Sequence, residues 1–308
     1  MRILIYGAGP IGSFFAAKLG ESELDVTILA RESRLRTLSR YWIVLENQDG
    51  VETARFKVPT LERLSPVDAY DLVLVAVGKN HYPGVLPFLA ANISTPNILF
   101  LGNNAEGPGE MVRLLGRERV LFGFPGVNAM IDGRVVRYKV DEMPSLTLGE
   151  LDGIESERIT WIKELFEGAG FEVNVSPNME TWLKYHSAVI LPLALAYARA
   201  GRDVKEFNRD REGLNLMIRA IREGFGVLKA LGHTEVPSGL RRLERLPMKL
   251  ATLYLRRELN KVELEYVLTK GEAMQDELMA LHKEFQGLIS STSVQTPSFD
   301  ELSQNLQE

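Results

Sequence analysis

Apolar residues in the first third of the chain alternate between short runs and helical spacing. Residues 2–6 form an apolar run that ends at Gly7, and residues 11–19 follow with the spacing of a helix face. A second run occupies residues 26–30, so this order predicts a β-α-β unit with short connections. Strands that alternate with helices are typical of a mainly parallel, doubly wound sheet. Further strands are predicted at 72–77, 98–101 and 120–124.

The alternation changes after about residue 132. Residues 133–138 and 145–149 have the pattern of strands joined without a long helix, which fits an antiparallel edge or extension of the sheet. A helix at 155–169 and a strand at 171–175 complete this half of the chain. We therefore expect an α/β Rossmann domain over residues 1–176.

Helical spacing dominates the rest of the chain and predicts an all-α domain over residues 177–308. Two domains also suit the length of 308 residues, because single cores stop growing at roughly 250 to 300 residues. The junction is expected near Ser176-Pro177-Asn178, a run of turn-forming residues. The helical segments are predicted at 180–200, 210–231, 239–257 and 258–289.

The composition narrows the class of protein. With 45% apolar and 25% charged residues the chain has the balance of a soluble globular protein. The formal net charge of -5 argues against a nucleic-acid partner, which needs a basic face to neutralise phosphates. The absence of cysteine excludes disulfides, thiolate metal sites and cysteine nucleophiles, and it favours a reducing compartment such as the cytoplasm.

Membrane insertion and secretion are not expected. Residues 1–5 run directly into the glycine turn, which leaves no room for a cleavable leader. The longest apolar stretch, residues 188–198, has 11 residues and includes Pro192, whereas a helix needs about 20 residues to cross a bilayer. We interpret it as a buried helix.

A glycine-rich turn lies between the first predicted strand and the first predicted helix. This context makes the G-x-G-x-x-G pattern specific for a dinucleotide, since the glycines allow the tight turn and the approach of a diphosphate to the helix N-terminus. The alternative is a glycine turn without a ligand. The residues are Gly7, Ala8, Gly9, Pro10, Ile11 and Gly12.

The end of the second strand bears on the choice of cofactor. An NAD-specific protein usually has a carboxylate there, whereas this chain has Ala30-Arg31. Arg31 would attract the 2′-phosphate of NADPH, and Arg34 or Arg36 could add a second cation. The sequence therefore favours NADPH/NADP⁺, while the neighbouring Glu32 keeps an NAD interpretation open.

Two polar residues follow later predicted strands. Lys79 ends the segment Val75-Ala76-Val77-Gly78-Lys79, and Asn103 lies in Phe100-Leu101-Gly102-Asn103-Asn104. Together with the glycine turn, these segments make most of the chain similar to the ketopantoate reductase family, although the usual Gln-Asn-Gly reads Gly102-Asn103-Asn104 here. The resemblance implies that Lys79 and Asn103 lie near the nicotinamide end of the cofactor, and that Asn103 also contacts the substrate.

The resemblance also implies catalytic residues in the second domain. The family's catalytic lysine corresponds to Lys184 in Glu180-Thr181-Trp182-Leu183-Lys184. Reduction of a ketone needs a proton donor at oxygen, which a desolvated ammonium can be. The family's substrate-binding glutamate resembles Glu263, which could hold a substrate hydroxyl or the lysine. An exposed acid on a charged helix is the alternative for Glu263.

Other family positions differ in this chain. The asparagines four and eight residues after the lysine are replaced by Ala188 and Pro192. Shifting the alignment by one residue brings Ser187 and Leu191 to these positions but places Leu183 at the lysine, so neither register is complete. Ser187 is kept as a candidate substrate ligand.

The residue that binds the substrate carboxylate also differs. The family's serine corresponds to Ala251, with Thr252 beside it. Arg256 lies on the helical face of Glu263, about two turns away, and could supply a carboxylate clamp. The chain's histidines show neither metal-ligand spacing nor a hydrolase arrangement, so no metal is expected.

The leading hypothesis is NADPH-dependent reduction of a 2-oxo acid, 2-dehydropantoate or a similar one, in a cleft between the two domains. The family resemblance implies a place in pantothenate biosynthesis. An opine-type or other hydroxyacid dehydrogenase, and a dinucleotide-binding sensor without turnover, are the alternatives, because the substrate face is altered. The expected partner is a small molecule, with neither nucleic acid nor membrane. The amphipathic helices also fit a homodimer, although packing within the chain explains the same pattern.

Overall fold

The computed structural model describes residues 1–140, 142–259 and 272–304. Its internal contacts divide the chain into two compact units. The first comprises Met1–Gly102 and Pro108–Met179, and the second comprises Asn103–Gly107 and the described residues from Glu180 onward. The short segment Asn103–Gly107 therefore belongs to the second unit, although residues of the first unit precede and follow it.

The first unit contains an eight-stranded sheet whose strands consist mostly of buried isoleucine, leucine and valine residues. The strands are β1 (Arg2–Tyr6), β2 (Asp25–Leu29), β5 (Thr60–Leu61), β6 (Leu72–Val75), β7 (Ile98–Leu101), β8 (Val120–Gly126), β11 (Ser145–Gly149) and β12 (Glu172–Val175). Their order in the sheet is β12-β11-β8-β7-β6-β1-β2-β5, and all neighbours are parallel except the antiparallel pair β8 and β11. This confirms the predicted doubly wound, mainly parallel sheet.

A second sheet of four strands was not predicted. It has the order β4-β3-β10-β9, formed by β3 (Ile43–Glu46), β4 (Glu52–Phe56), β9 (Asn128–Asp132) and β10 (Val135–Lys139). The prediction that residues 133–138 extend the main sheet was wrong, because β10 pairs in parallel with β3 and antiparallel with β9. Residues 145–149 do join the main sheet, as β11.

The small sheet covers a helix that is apolar on more than one face. Phe14, Phe15, Ala16 and Ala17 of the first helix are all buried, so the helix needs partners on more than one side. The small sheet supplies one of them, with the Tyr138 ring centroid 4.9 Å from that of Phe14. The helices of this unit are α1 (Pro10–Glu21), α2 (Glu32–Arg40), α3 (Leu86–Ala91), α4 (Gly109–Leu115) and α5 (Glu157–Gly168).

The described elements of the second unit are helical, which confirms the predicted class. Its core surrounds one amphipathic helix, residues 211–230, whose apolar face includes Leu214, Ile221 and Phe225. The helix predicted at 239–257 is interrupted, because Pro247 separates two helices. The helices are α6 (Met179–Arg199), α7 (Val204–Arg209), α8 (Arg211–Ala230), α9 (Arg241–Arg245), α10 (Met248–Leu259), α11 (Glu272–Ser290) and α12 (Pro297–Ser303).

The apolar stretch over residues 188–198 lies within α6 and is mostly buried. Across the described ranges, none of the helices combines the length and the apolar character needed to cross a bilayer. The stretch therefore serves the core of the helical unit, as the sequence predicts.

Candidate functional site

The glycine turn lies where the strand order of the main sheet reverses. β1 is parallel to both of its neighbours, β2 on one side and β6 on the other, and the chain leaves β1 through Gly7. The Gly7 amide donates to the Leu29 carbonyl at 3.2 Å, which attaches the turn to the end of β2. Ligands of open α/β sheets bind at such a reversal, beyond the carboxyl ends of the strands.

The three glycines of the turn have different roles. Gly7 has φ +118°, and a Cβ there would lie 2.6 Å from the Ala76 carbonyl oxygen. A Cβ on Gly12 would lie 1.9 Å from the Gly7 oxygen, so Gly12 allows the helix to approach the strand closely. A Cβ on Gly9 would meet nothing within 4 Å. Gly7 and Gly12 are thus required by the fold, whereas Gly9 leaves space free beside the turn.

That space adjoins the N-terminus of α1. Gly9 is the N-cap of the helix and makes no side-chain capping bond, and Pro10 occupies the first helical position without an N–H. The remaining first-turn amides and the positive end of the helix dipole favour an anion. A free space bounded by a glycine at a helix N-terminus fits the diphosphate of a dinucleotide.

Arg34, on the neighbouring helix α2, holds the glycine turn through hydrogen bonds. Its Nε donates to the Ala8 carbonyl oxygen at 3.0 Å, and its Nη2 donates to Ser13 Oγ at 2.9 Å. Ser13 is fully buried, and its hydroxyl lies 3.3 Å from the same carbonyl oxygen. Burial of the guanidinium lowers the pKa of Arg34. Arg34, considered above as a second phosphate ligand, thus holds the shape of the turn in this structure.

Arg31 is the exposed cation at the end of β2. It is the N-cap of α2, and the next residue, Glu32, has φ +48°, a left-handed conformation that costs a non-glycine residue free energy. Burial raises the pKa of Tyr6 at the end of β1, and the positive charge of Arg31 opposes that rise. The guanidinium is therefore close to the strand end from which the glycine turn departs.

Lys79 follows β6, the other neighbour of β1. It begins a 3-10 turn, Lys79–Gly84, and its side chain is half-buried. The sheet thus brings the glycine turn, Arg31 and Lys79 to the carboxyl ends of adjacent strands, as the alternating pattern predicts.

Lys184 is the most deeply buried cation of α6, with only 3% of its surface exposed. Its Nζ donates to the carbonyl oxygens of Ala105 at 2.9 Å and Glu106 at 3.1 Å, and it lies 3.2 Å from Glu180 Oε1. An ammonium has three N–H groups, so each of them has an acceptor here. These contacts compensate for the removal of the charge from water.

The close approach of Lys184 and Glu180 to the backbone of this segment depends on Gly107. This residue has φ +103°, and a Cβ would lie 2.9 Å from Glu180 Oε1 and 3.2 Å from Lys184 Nζ. Any side chain would therefore push against the ion pair. The Asn104 side chain links the two ends of the segment Asn103–Gly107. Its Nδ2 donates to the Gly107 oxygen at 3.1 Å, and its Oδ1 accepts from the Gly107 amide at 2.8 Å.

Two carboxylates of α11 contact the same segment, and the sequence did not identify either of them. Glu277 Oε1 accepts from Asn103 Nδ2 at 3.0 Å, while Asn103 Oδ1 is buried without a hydrogen-bond partner among the described residues. Glu284 Oε2 accepts from the backbone amides of Ala105 and Glu106 at 3.0 and 3.2 Å. The signal in the sequence is their spacing of two helical turns, which places both on one face of α11.

The remaining predicted substrate ligands have other contacts. Ser187 is fully buried, and its hydroxyl donates to the Leu183 carbonyl at 2.9 Å. Arg256 Nη2 donates to the Asn208 carbonyl at 3.0 Å, and Arg256 Nε is buried without a partner among the described residues. Glu263 lies outside the described residues. Their roles toward a substrate stay predictions.

Two histidines near Lys184 have a pKa below the usual value for histidine. Burial lowers the pKa of His186 to about 4, and its ring stacks on Trp182 at 5.3 Å. Burial and then the positive charge of Lys184 lower the pKa of His233, whose Nδ1 lies 2.8 Å from Thr181 Oγ1. Within the described ranges, no group of histidine and acidic residues could hold a metal ion.

Sequence comparison finds similarity to known oxidoreductases. Residues 3–153 match the family model of ketopantoate reductase PanE/ApbA. The chain is 26% identical over 189 residues to the uncharacterized oxidoreductase YkpB of Bacillus subtilis, a match that covers 60% of this chain and 61% of YkpB. It is 25% identical over 257 residues to the 2-dehydropantoate 2-reductase of Halobacterium salinarum, covering 82% and 83% of the two chains. The match thus spans about three fifths of the length of YkpB.

Solved structures show the same fold across nearly the whole chain. The 2-dehydropantoate 2-reductase from Geobacter metallireducens superposes with a TM-score of 0.78 at 17% identity, covering 100% of this chain and 99% of the other. D-mandelate dehydrogenase with NADH and anilino(oxo)acetate superposes with a TM-score of 0.74 at 17% identity, covering 100% and 97%. At these identities the superpositions are evidence of a shared fold.

Proposed function

We propose that this chain, which matches the ketopantoate reductase family model over residues 3–153, reduces a 2-oxo acid to the 2-hydroxy acid with NADPH. The observation that carries the proposal is Lys184, a buried ammonium held beside the segment that contains Asn103. A buried lysine whose ammonium group has fixed acceptors is suited to donate a proton, whereas the ammonium groups of surface lysines stay solvated.

The dinucleotide would be held by residues of the first unit. The first-turn amides of α1 and the space beside Gly9 fit its diphosphate, and Arg31 fits a 2′-phosphate. Lys79 follows the adjacent strand and is proposed to contact its nicotinamide half. When bound, the cofactor supplies the hydride.

Lys184 is proposed to protonate the carbonyl oxygen of the substrate. Because each of its N–H groups already has an acceptor, one of these contacts must yield before a substrate oxygen can receive a proton. The Glu180 carboxylate is 30% exposed and is therefore the acceptor that can move toward water most easily. After transfer, the neutral amine regains its proton from solvent.

Glu277 and Asn103 are proposed to orient the substrate. Their hydrogen bond places a carboxylate and an amide side by side, and among the described residues Asn103 Oδ1 accepts no hydrogen bond. A carboxylate can accept a hydrogen bond from a substrate hydroxyl. Glu277 is proposed to contribute to the substrate-orienting role that the sequence predicts for Glu263, and its hydrogen bond to Asn103 supports this proposal.

The substrate is proposed to be 2-dehydropantoate or a similar 2-oxo acid. A different 2-oxo acid is the second candidate, since Ala188 and Pro192 are buried and apolar where the family has asparagines. Loss of the family's asparagines would remove polar substrate contacts and favour an acid with an apolar side chain, and D-mandelate dehydrogenase is among the proteins of this fold.

Turnover against a panel of 2-oxo acids tests the proposal. The pure protein is mixed with NADPH and 2-dehydropantoate, phenylglyoxylate or a branched 2-oxo acid, and consumption of NADPH is followed by absorbance. Turnover with 2-dehydropantoate alone supports the first candidate, and turnover with an apolar 2-oxo acid supports the second. Binding of NADPH without turnover of any acid would instead favour a sensor and overturn the proposed activity.

Cofactor preference gives a separate prediction. Replacing Arg31 by alanine is expected to raise the Kd for NADPH by roughly tenfold, because a charge-assisted contact to the 2′-phosphate is lost. The Kd for NADH should stay within about twofold, as NADH has no phosphate there. Calorimetry measures both, with Arg40→Ala at the far end of α2 as the control. An equal loss for both cofactors would contradict a role in phosphate recognition.

A further inference from the structure

The segment Asn103–Gly107 is bound by helices of the second unit from two sides. In the chain it lies between β7 and α4 of the first unit, yet its contacts belong to the helical unit. Glycines with positive φ, Gly102 at +139° and Gly107 at +103°, lie at its ends. Such backbone conformations let the chain turn sharply into and out of the segment.

One peptide group of this segment connects two opposite charges. The peptide bond between Ala105 and Glu106 accepts from Lys184 through its oxygen, at 2.9 Å, and donates to Glu284 through its N–H, at 3.2 Å. In a trans peptide the C=O and the N–H point in opposite directions, so Lys184 and Glu284 lie on opposite sides of it. Each charge polarises the peptide in the sense that strengthens the other hydrogen bond.

Glu284 also accepts a hydrogen bond from the backbone amide of Ala105. Its Oε2 accepts from the Ala105 N–H at 3.0 Å, so one carboxylate oxygen satisfies two consecutive backbone donors. Glu277 lies two turns earlier on the same helix and accepts from Asn103. One face of α11 therefore fixes both the Asn103 side chain and the backbone that receives the Lys184 ammonium.

We infer that Glu284 is a positioning residue, which sets the location of Lys184 Nζ and Asn103 through the peptide groups of residues 105 and 106. The inference rests on the proposed function for Lys184. Without this carboxylate the two amides would lose their acceptor, and the carbonyl oxygens that hold the ammonium would be free to shift. A displacement of this kind lowers the catalytic rate while leaving the dinucleotide site of the first unit unchanged.

The test compares Glu284→Ala and Glu284→Gln with wild type in two measurements. Hydrogen exchange of the free protein reports protection of the amides at residues 103–107, and steady-state kinetics with NADPH and the best 2-oxo acid report kcat and KM. Glu284→Ala is expected to accelerate exchange at these amides and to lower kcat by about tenfold, with the Kd for NADPH within about twofold. Glu284→Gln should restore most of both properties, because a side-chain amide oxygen can still accept both bonds.

Glu223 offers a matched control. Its carboxylate likewise accepts from two consecutive amides, Ser298 at 3.0 Å and Phe299 at 2.9 Å, at the start of α12. Glu223→Ala removes the same kind of bonds in the same unit. It should accelerate exchange at residues 298–299 and leave both kcat and the protection of residues 103–107 at wild-type values.

Each result decides the inference. Unchanged exchange at residues 103–107 in Glu284→Ala, or faster exchange with unchanged kcat, would overturn it. An equal loss of kcat in Glu223→Ala would reduce the effect to general destabilisation and overturn it as well. If the wild-type protein reduces no 2-oxo acid, the proposed function fails, while the exchange measurement still decides whether Glu284 holds the segment.

Discussion

Replacement of Lys184 by alanine is expected to lower kcat by a factor of about 10² to 10⁴, the range that a positioned general acid contributes. The Kd for NADPH should change by no more than about twofold, because the glycine turn and Arg31 belong to the other unit. Rapid-mixing kinetics with the best 2-oxo acid measures the first quantity, and calorimetry measures the second.

The fold must be checked in the same variant. Loss of the ammonium leaves the Ala105 and Glu106 carbonyls and the Glu180 carboxylate without their partner, so some loss of thermal stability is expected. Lys229→Ala provides the control, since Lys229 pairs with Glu244 in the same unit and its side chain is 42% exposed. Retention of wild-type kcat in Lys184→Ala would refute its assignment as the proton donor.

Replacement of Gly9 by alanine is expected to abolish dinucleotide binding without harming the fold. A Cβ at Gly9 meets no atom within 4 Å, and φ of -70° suits any L residue, so the folded protein accepts the methyl group. The methyl group would fill the space assigned to the diphosphate, and the Kd for NADPH and NADH should both rise by about 10² or more. A tenfold change corresponds to about 1.4 kcal/mol.

Two other glycines separate binding from folding. Gly168→Ala also adds a methyl group in open space, at the end of α5, and should leave both binding and stability near wild type. Gly12→Ala would place its Cβ 1.9 Å from the Gly7 oxygen and should lower the melting temperature. Wild-type NADPH affinity in Gly9→Ala would rule out this turn as the diphosphate site, and with it the oxidoreductase proposal.

The Rossmann unit could be predicted from the sequence because its signals are local. The glycine turn, the apolar strands and the residues at their carboxyl ends are each encoded within a few positions of one another. The second sheet was missed since β3 and β10 are about ninety residues apart, and short strands carry little pattern of their own. Their pairing depends on the need to cover the aromatic residues of α1, which only the folded chain reveals.

The helical unit was predicted in class but not in its contacts. Lys184 was predicted because a short motif at the start of this unit resembles the family's catalytic segment. Glu277 and Glu284 lie on a helix with several other charged residues, and nothing local in the sequence distinguishes them from those. What distinguishes these two carboxylates is the segment Asn103–Gly107, about 170 residues earlier, which supplies the donors they bind. A long-range partner of this kind leaves no periodic signature.

Because residues 103–107 are integrated into the helical unit, that unit is discontinuous in sequence. Recombination between relatives at the single junction near residue 179 would transplant α11 without the segment Asn103–Gly107, which it binds at residues 103, 105 and 106. Glu284 and Lys184 of one parent would then face backbone of the other parent. A hybrid that exchanges both pieces together should preserve the hydrogen bonds and carry its substrate preference with it.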